Sequence, residues 1–130
     1  MPAYVSLKRT GKETFNSIKG SVVPPSFWDS PEDFDAAGAG FDLLYRGKIV
    51  SQAFSAFLLG NQLELGMETL APCRGKGFAR IVCSRLIEYC RQYRLEPVWA
   101  CRAGNIGSFQ LALKLGFEPV RDIPYYRFSG

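Results

Sequence analysis

Histidine is absent from this chain, which removes every catalytic triad that relies on imidazole and most zinc-ligand patterns. Any proton transfer must run on other side chains, and no metal is expected. The four cysteines, Cys73, Cys83, Cys90 and Cys101, include no Cys-x-x-Cys pair, and they read as reduced, mostly buried small hydrophobes. No run approaches the roughly 20 apolar residues that span a bilayer, and Met1-Pro2-Ala3-Tyr4-Val5 lacks the charged and apolar segments of a secretory leader. The expectation is a cytoplasmic protein with no membrane partner. Internal repeats, a Gly-x-x-x-x-Gly-Lys-Ser/Thr phosphate loop and a Gly-x-Gly-x-x-Gly fingerprint are also missing. There is no aromatic-basic stripe, so no nucleic-acid partner is expected.

The 130 residues, 47% apolar and 22% charged, suit one ordinary domain with one core and exclude two independently cored ones. Sixteen Lys and Arg against twelve Asp and Glu leave +4 and a pI near 9.0. That surplus favours polyanions, acidic membranes or a phosphorylated cofactor without choosing among them.

The chain changes character near Gly40. Residues 1–40 hold four of the eight prolines and show weak periodicity. Ser30-Pro31-Glu32-Asp33-Phe34 carries an N-cap residue, a first-turn proline and acids, which predicts a brief helix at about 31–37. From Phe41 the pattern is regular, with strands at 41–45, 49–59 and 62–70 joined by Arg46-Gly47-Lys48 and Gly60-Asn61 as an antiparallel meander. Leu63, Leu65, Met67 and Thr69 alternate with Gln62, Glu64, Gly66 and Glu68, so both glutamates share the face opposite the apolar one. Gly66 packs nothing and marks a bulge or a close approach to the backbone. Ala79, Val82, Cys83, Leu86, Cys90 and Tyr93 follow helical spacing, which predicts a helix at about 78–95 and then a strand at 98–101. A helix follows at 105–115 with Asn105 as its N-cap and Gly116 after its end, and then strands at 118–122 and 125–128.

Between a strand and the long helix lies Arg74-Gly75-Lys76-Gly77-Phe78-Ala79. A helix start leaves amide hydrogens without intrahelical partners and carries the positive end of the macrodipole, so this turn is an anion seat. The glycines permit a tight turn and a close ligand, and Arg74 and Lys76 add charge suited to a pyrophosphate. Taken alone, the turn also reads as a basic connection before a helix.

At this point the chain resembles the GNAT superfamily of acetyl-coenzyme A dependent N-acetyltransferases. Its loop pattern Arg/Gln-x-x-Gly-x-Gly/Ala is met by Arg74, Gly77 and Ala79. Its second signature, an Asn opening a helix that ends in Leu-Gly-Phe, is met by Asn105-Ile106-Gly107-Ser108 through Leu115-Gly116-Phe117. With Gly47 to Ser51 and Pro97 to Cys101, the match over about 41–128 looks like the branch containing antibiotic self-resistance enzymes of the zwittermicin type. The resemblance implies an α+β (α/β sandwich) GNAT fold, with a mixed, mostly antiparallel sheet splayed between strands 62–70 and 98–101 and flanked by the two helices. It implies acetyl-CoA as co-substrate in that opening, its pantetheine arm paired with backbone at Met67, Glu68 and Thr69. The pyrophosphate would rest on the amides of Gly75, Lys76, Gly77, Phe78, Ala79 and Arg80 beside Arg74, with Asn105 and Ser108 near the pantetheine arm and thiol.

Direct acyl transfer needs a neutral amine, yet an alkyl amine with a pKa of about 10.4 resists deprotonation at pH 7 by about 4 to 5 kcal/mol. Without histidine, Glu68 or Glu64 is the candidate base, directly or through water; the alternative is that both are solvent-facing strand residues. A backbone N–H near Met67 would stabilise negative charge developing on the thioester oxygen. Many members place a tyrosine seven residues after the motif Asn as the acid, but that position here is Ala112. Ser108, Tyr125 or Tyr126 are the remaining candidate donors, unless the thiolate leaves unassisted; Ser108 also reads simply as a residue of the helix cap.

The whole of 1–130 is expected to be one GNAT domain in which 1–40 forms an abbreviated acceptor side. There Phe27, Trp28 and Phe34 either line an acceptor pocket or cover a core. The expected activity is acetyl transfer to the primary amine of a small molecule or antibiotic, with a homodimer completing the short acceptor side. The alternatives are a protein N-terminal or lysine acetyltransferase and a non-catalytic acyl-CoA-binding module.

Overall fold

An alternating strand such as Gln62–Thr69 is stable only if its apolar face is covered. In the computed structural model, which describes residues 4–20, 22–100, 106–119 and 125–128, one long helix covers it. The elements run β1 (Val5–Arg9), α1 (Pro31–Ala37), β2 (Gly40–Tyr45), β3 (Lys48–Leu59), β4 (Gln62–Thr69), α2 (Phe78–Gln92), β5 (Glu96–Ala100), α3 (Ile106–Leu115), β6 (Phe117–Pro119) and β7 (Tyr125–Phe128). Among the described residues the strands form one sheet in the order β1-β2-β3-β4-β5-β7-β6. Strands β1 to β4 are antiparallel, β4 and β5 are parallel, and β7 returns antiparallel between β5 and β6. This is the mixed α+β architecture expected. The expected segments 101, 105 and 120–122 lie outside the described residues.

Helix α2 buries Val82, Cys83, Leu86, Ile87 and Cys90 against Phe41, Leu43, Ala53, Leu63 and Leu65 of the sheet. Each fully buried aliphatic side chain contributes about 1.5 to 3 kcal/mol, so this stripe is the principal source of cohesion. Burial pushes the Cys90 thiol up to about 11 and the Cys83 thiol still further, which leaves both protonated and unreactive at neutral pH. Ser30 caps α1 as its spacing predicts, accepting a hydrogen bond from the Asp33 amide at 3.0 Å.

Two sequence expectations are corrected here, and a third is made specific. Helix α2 stops at Gln92, short of residue 95, because Arg94 takes a left-handed φ of 57°. The Leu95 amide then donates to the Cys90 carbonyl at 2.8 Å and the Arg94 amide to Arg91 at 3.4 Å. That pairing is a Schellman stop, usually signalled by glycine, and here no glycine announces it. Strand β5 begins at Glu96, whose amide donates to the Asn61 carbonyl at 2.6 Å. Pro97 is tolerated because the ladder to β7 starts only at Val98. Of the two readings of Gly66, close approach rather than a bulge is found: it pairs in register with Phe54, and a Cβ built there would lie 2.5 Å from Phe54 Cζ, so the phenyl ring is what approaches.

The sheet face away from α2 carries a second, smaller core of Phe15, Phe34, Phe54 and Ala56 with Trp28 against it. Trp28 meets Phe34 edge-on at 5.5 Å and donates its Nε1–H to the Ser55 carbonyl at 2.6 Å. Below this cluster Thr10 Oγ1 and Gln52 Nε2 donate to Asp42 Oδ1 at 2.7 and 2.9 Å, and Gln52 Nε2 also donates to the Thr14 carbonyl at 2.8 Å. These fully enclosed polar groups tie β1, β2 and β3 to the irregular segment that crosses them.

Candidate functional site

Strands β4 and β5 pair over three rungs only, Gln62 with Glu96, Leu63 with Pro97 and Glu64 with Val98. From Leu65 to Thr69, β4 stays on the β3 ladder while no pairing with β5 continues among the described residues. The result is an opening with a strand edge on one wall, the splay expected between 62–70 and 98–101.

The edge leads into the turn before α2. Leu70 donates to the Val50 carbonyl at 2.9 Å, a short 3-10 turn spans Ala71–Cys73, and Gly75 and Gly77 both take φ of 81°. That region is costly for residues with a Cβ, and a Cβ at either position would meet nothing within 4 Å. The glycines are therefore required by the backbone path, and the space above them is open. The first intrahelical bond runs from the Ile81 amide to the Gly77 carbonyl at 3.2 Å, so the amides of Phe78, Ala79 and Arg80 precede the helical ladder. Phe78 anchors this end, buried with its ring 5.2 Å from Tyr45, whereas Lys76 and Arg80 are exposed. Open amides beside two exposed cations make a turn whose charge suits an anion such as a pyrophosphate.

Glu64 and Glu68 pair with Phe57 and Gln52 and so lie on the face away from α2. Their surroundings differ. Glu64 is half-buried, and loss of water around it pushes its carboxyl above the ordinary 4.5. The Glu68 side chain is 16% exposed and pairs with Arg74 at 3.3 Å. Its carboxylate also lies against Gly20, where any Cβ would collide with it. The pairing of Arg74 with Glu68 had no signal in the sequence, since six residues separate them across a turn.

The other sequence candidates are distributed as follows. Met67 packs partly buried toward the α2 core, and Thr69 is buried with its Oγ1 2.8 Å from Ser51 Oγ. The Thr69 carbonyl accepts a hydrogen bond from Arg74 Nε at 3.1 Å. Asn105 lies outside the described residues, and Ser108 is the third residue of α3. Ala112 is fully buried in the main core. Tyr125 and Tyr126 stand on β7 opposite Ala100 and Trp99. Of the three aromatic candidates, Phe34 is core and Trp28 packs on it, while Phe27 remains at the rim, edge-on to exposed Phe57 at 5.6 Å. Phe57, the cross-strand neighbour of Glu64, escaped the sequence reading because a register shift between Ser55 and Phe57 breaks the alternation of β3.

The family model described as GNAT acetyltransferase matches residues 1–126. The uncharacterized N-acetyltransferase YdfB of Bacillus subtilis strain 168 is 33% identical over 132 residues, covering 100% of this chain and 50% of that protein. The crystal structure of a GCN5-related N-acetyltransferase-like protein from Streptococcus suis 89/1591 superposes with a TM-score of 0.81 at 26% identity, covering 97% of this chain and 50% of that one. The protein yncA of Salmonella typhimurium, solved with its cofactor acetyl-CoA, superposes with a TM-score of 0.71 at 15% identity, covering 95% of this chain and 89% of that one. The chain thus spans about half the length of YdfB and of the Streptococcus suis protein. On the match of the family model over nearly its whole length, together with that 33% identity, the chain belongs to the GNAT acetyltransferase family.

Proposed function

We propose that this chain is an acetyl-CoA-dependent N-acetyltransferase domain that delivers acetyl to a primary amine of a small molecule by direct attack while both are bound. The observation that carries this reading is the edge of β4 from Leu65 to Thr69, left without a second strand among the described residues, running straight into the left-handed glycine turn at the start of α2. Acetyl-CoA, when bound, supplies the activated acetyl group as a thioester.

In this reading the backbone of Met67, Glu68 and Thr69 receives the amide-bearing arm as an added strand. The amides of Gly75 to Arg80 hold the pyrophosphate, with Lys76 and Arg80 supplying charge. Glu64 takes the proton from the amine, directly or through water, because its carboxyl is pushed toward neutral pH and makes no ion pair among the described residues. Glu68 acts as a positioning residue that holds Arg74 across the mouth of the opening. Residues 1–40 form the acceptor side of a single domain, with Phe27 and Phe57 at its rim. Asn105 and Ser108 stay near the arm and thiol.

Equilibrium titration with acetyl-CoA, followed by thiol release across a panel of small amines and peptides, tests the proposal. Saturable binding with release that depends on a small amine is expected. Binding with release only for peptides would move the acceptor class to proteins, and binding without any release would make the chain an acyl-CoA-binding module. A folded chain that does not bind acetyl-CoA would end the reading.

A further inference from the structure

We infer a second binding site, for a small carboxylate with a flat apolar body, in the cleft between the C-terminal half of α2 and strands β1 and β2. The cleft has a volume of about 300 Å³, and its walls include Arg9 and Phe41 from the strands, Arg85 and Tyr89 from the helix and Tyr93 just past its end. The Arg85 guanidinium lies 4.3 Å from the centre of the Phe41 ring, and its Nη1 is enclosed without any hydrogen-bond partner. That nitrogen is closed to a ligand as it is to water, so Arg85 can meet an anion in the cleft only through its other guanidinium nitrogens, which hydrogen-bond no protein group among the described residues. Arg9 places a second guanidinium 4.9 Å from the Tyr89 ring and 5.7 Å from the Phe41 ring, and its side chain donates a long hydrogen bond to the Gly38 carbonyl at 3.4 Å. No acidic side chain lines the cleft among the described residues.

The walls select the ligand class. A guanidinium edge matches the fork of a carboxylate, a second guanidinium on the same cleft adds charge, and Tyr89 and Tyr93, with rings 4.5 Å apart, offer flat apolar surface beside them. A phosphate dianion would need more donors and would leave these rings unused. The site is separate from the acetyl-CoA turn, since Arg85 lies seven residues beyond Phe78, about 10 Å along the helix. It does not rest on the acetyltransferase reading.

Isothermal titration of the full chain with phenylacetate, its neutral isostere phenylacetamide and inorganic phosphate provides the test. Phenylacetate is expected to saturate one site and to bind at least about tenfold more tightly than either comparison ligand. Arg85→Gln and Arg9→Gln, each checked for folding by circular dichroism, are expected to weaken it by about tenfold or more, while Arg85→Gln leaves acetyl-CoA affinity unchanged and Gly77→Asp leaves phenylacetate affinity unchanged. If Arg85→Gln does not fold, Arg9→Gln and the three-ligand comparison on the unaltered chain decide the matter. Equal binding of the neutral amide or of phosphate, no saturation by phenylacetate, or loss of its binding in Gly77→Asp would each overturn the inference.

Discussion

Arg74 reaches back across the turn to Glu68, its Nη2 3.3 Å from Glu68 Oε2, while its Nε donates to the Thr69 carbonyl at 3.1 Å. A loop cation expected at a pyrophosphate and a strand carboxylate expected to be a base are thereby engaged with each other. With the Arg74 side chain 63% exposed, the ion pair is strongly screened and worth less than about 1 kcal/mol. Its effect is geometric, because it fixes the turn relative to the open edge of β4.

That relationship separates the two glutamates. Glu64→Gln is expected to lower kcat by about 10² or more with little change in the KM for acetyl-CoA, as removal of a general base does. Glu68→Gln is expected to act mainly on that KM, because Arg74 loses its anchor. Steady-state kinetics on both variants checks this, and a larger kcat loss in Glu68→Gln would reassign the base.

Stability should also depend on Glu64. Its carboxyl titrates above 4.5 in the folded chain because burial disfavours the charged form, so the folded state binds more protons than the unfolded state between those two values. The contribution of this group to stability therefore falls as pH rises through that window. Glu64→Gln is expected to raise the urea midpoint at pH 7 and to leave it unchanged below pH 4.5, as measured by urea unfolding at both pH values.

Gly77→Asp tests the turn. Aspartate tolerates left-handed backbone better than most residues, and open space surrounds the new Cβ, so the strain should stay near 1 kcal/mol and the fold should survive. A carboxylate at the helix start would repel a pyrophosphate, and acetyl-CoA affinity is expected to fall by at least about tenfold. Titration calorimetry beside a thermal melt separates the two effects.

Gly66→Ala should destabilise the chain by about 1 to 3 kcal/mol, because its Cβ has no room beside the Phe54 ring. Adding Phe54→Leu is expected to recover part of that loss, since the smaller side chain vacates the contact. Urea unfolding of the single and double variants gives the coupling between them.

Where local chemistry specifies an element, the sequence was sufficient to read it. Ser30-Pro31 starts α1, the apolar stripe of α2 shows one face, and the alternation from Gln62 to Thr69 shows which residues of β4 face the core. The turn at Gly75 and Gly77 was legible for the same reason, since only glycine occupies that backbone region cheaply. The stop of α2 at Arg94 was not, because the Schellman bonds form whatever the residue and leave no compositional mark when glycine is absent.

Contacts between distant segments belong to a different level. That Phe54 fills the place above Gly66, that Gly20 closes on the Glu68 carboxylate, and that Glu64 loses enough water to raise its carboxyl all depend on how separate stretches pack. Periodicity, caps and the two family signatures were enough to establish the elements and the kinship of this chain, since each is written within a few neighbouring residues. Folding alone determined which carboxylate is engaged and which makes no ion pair among the described residues, and where two arginines meet a ring, because burial and charge pairing arise only when remote surfaces close on one another.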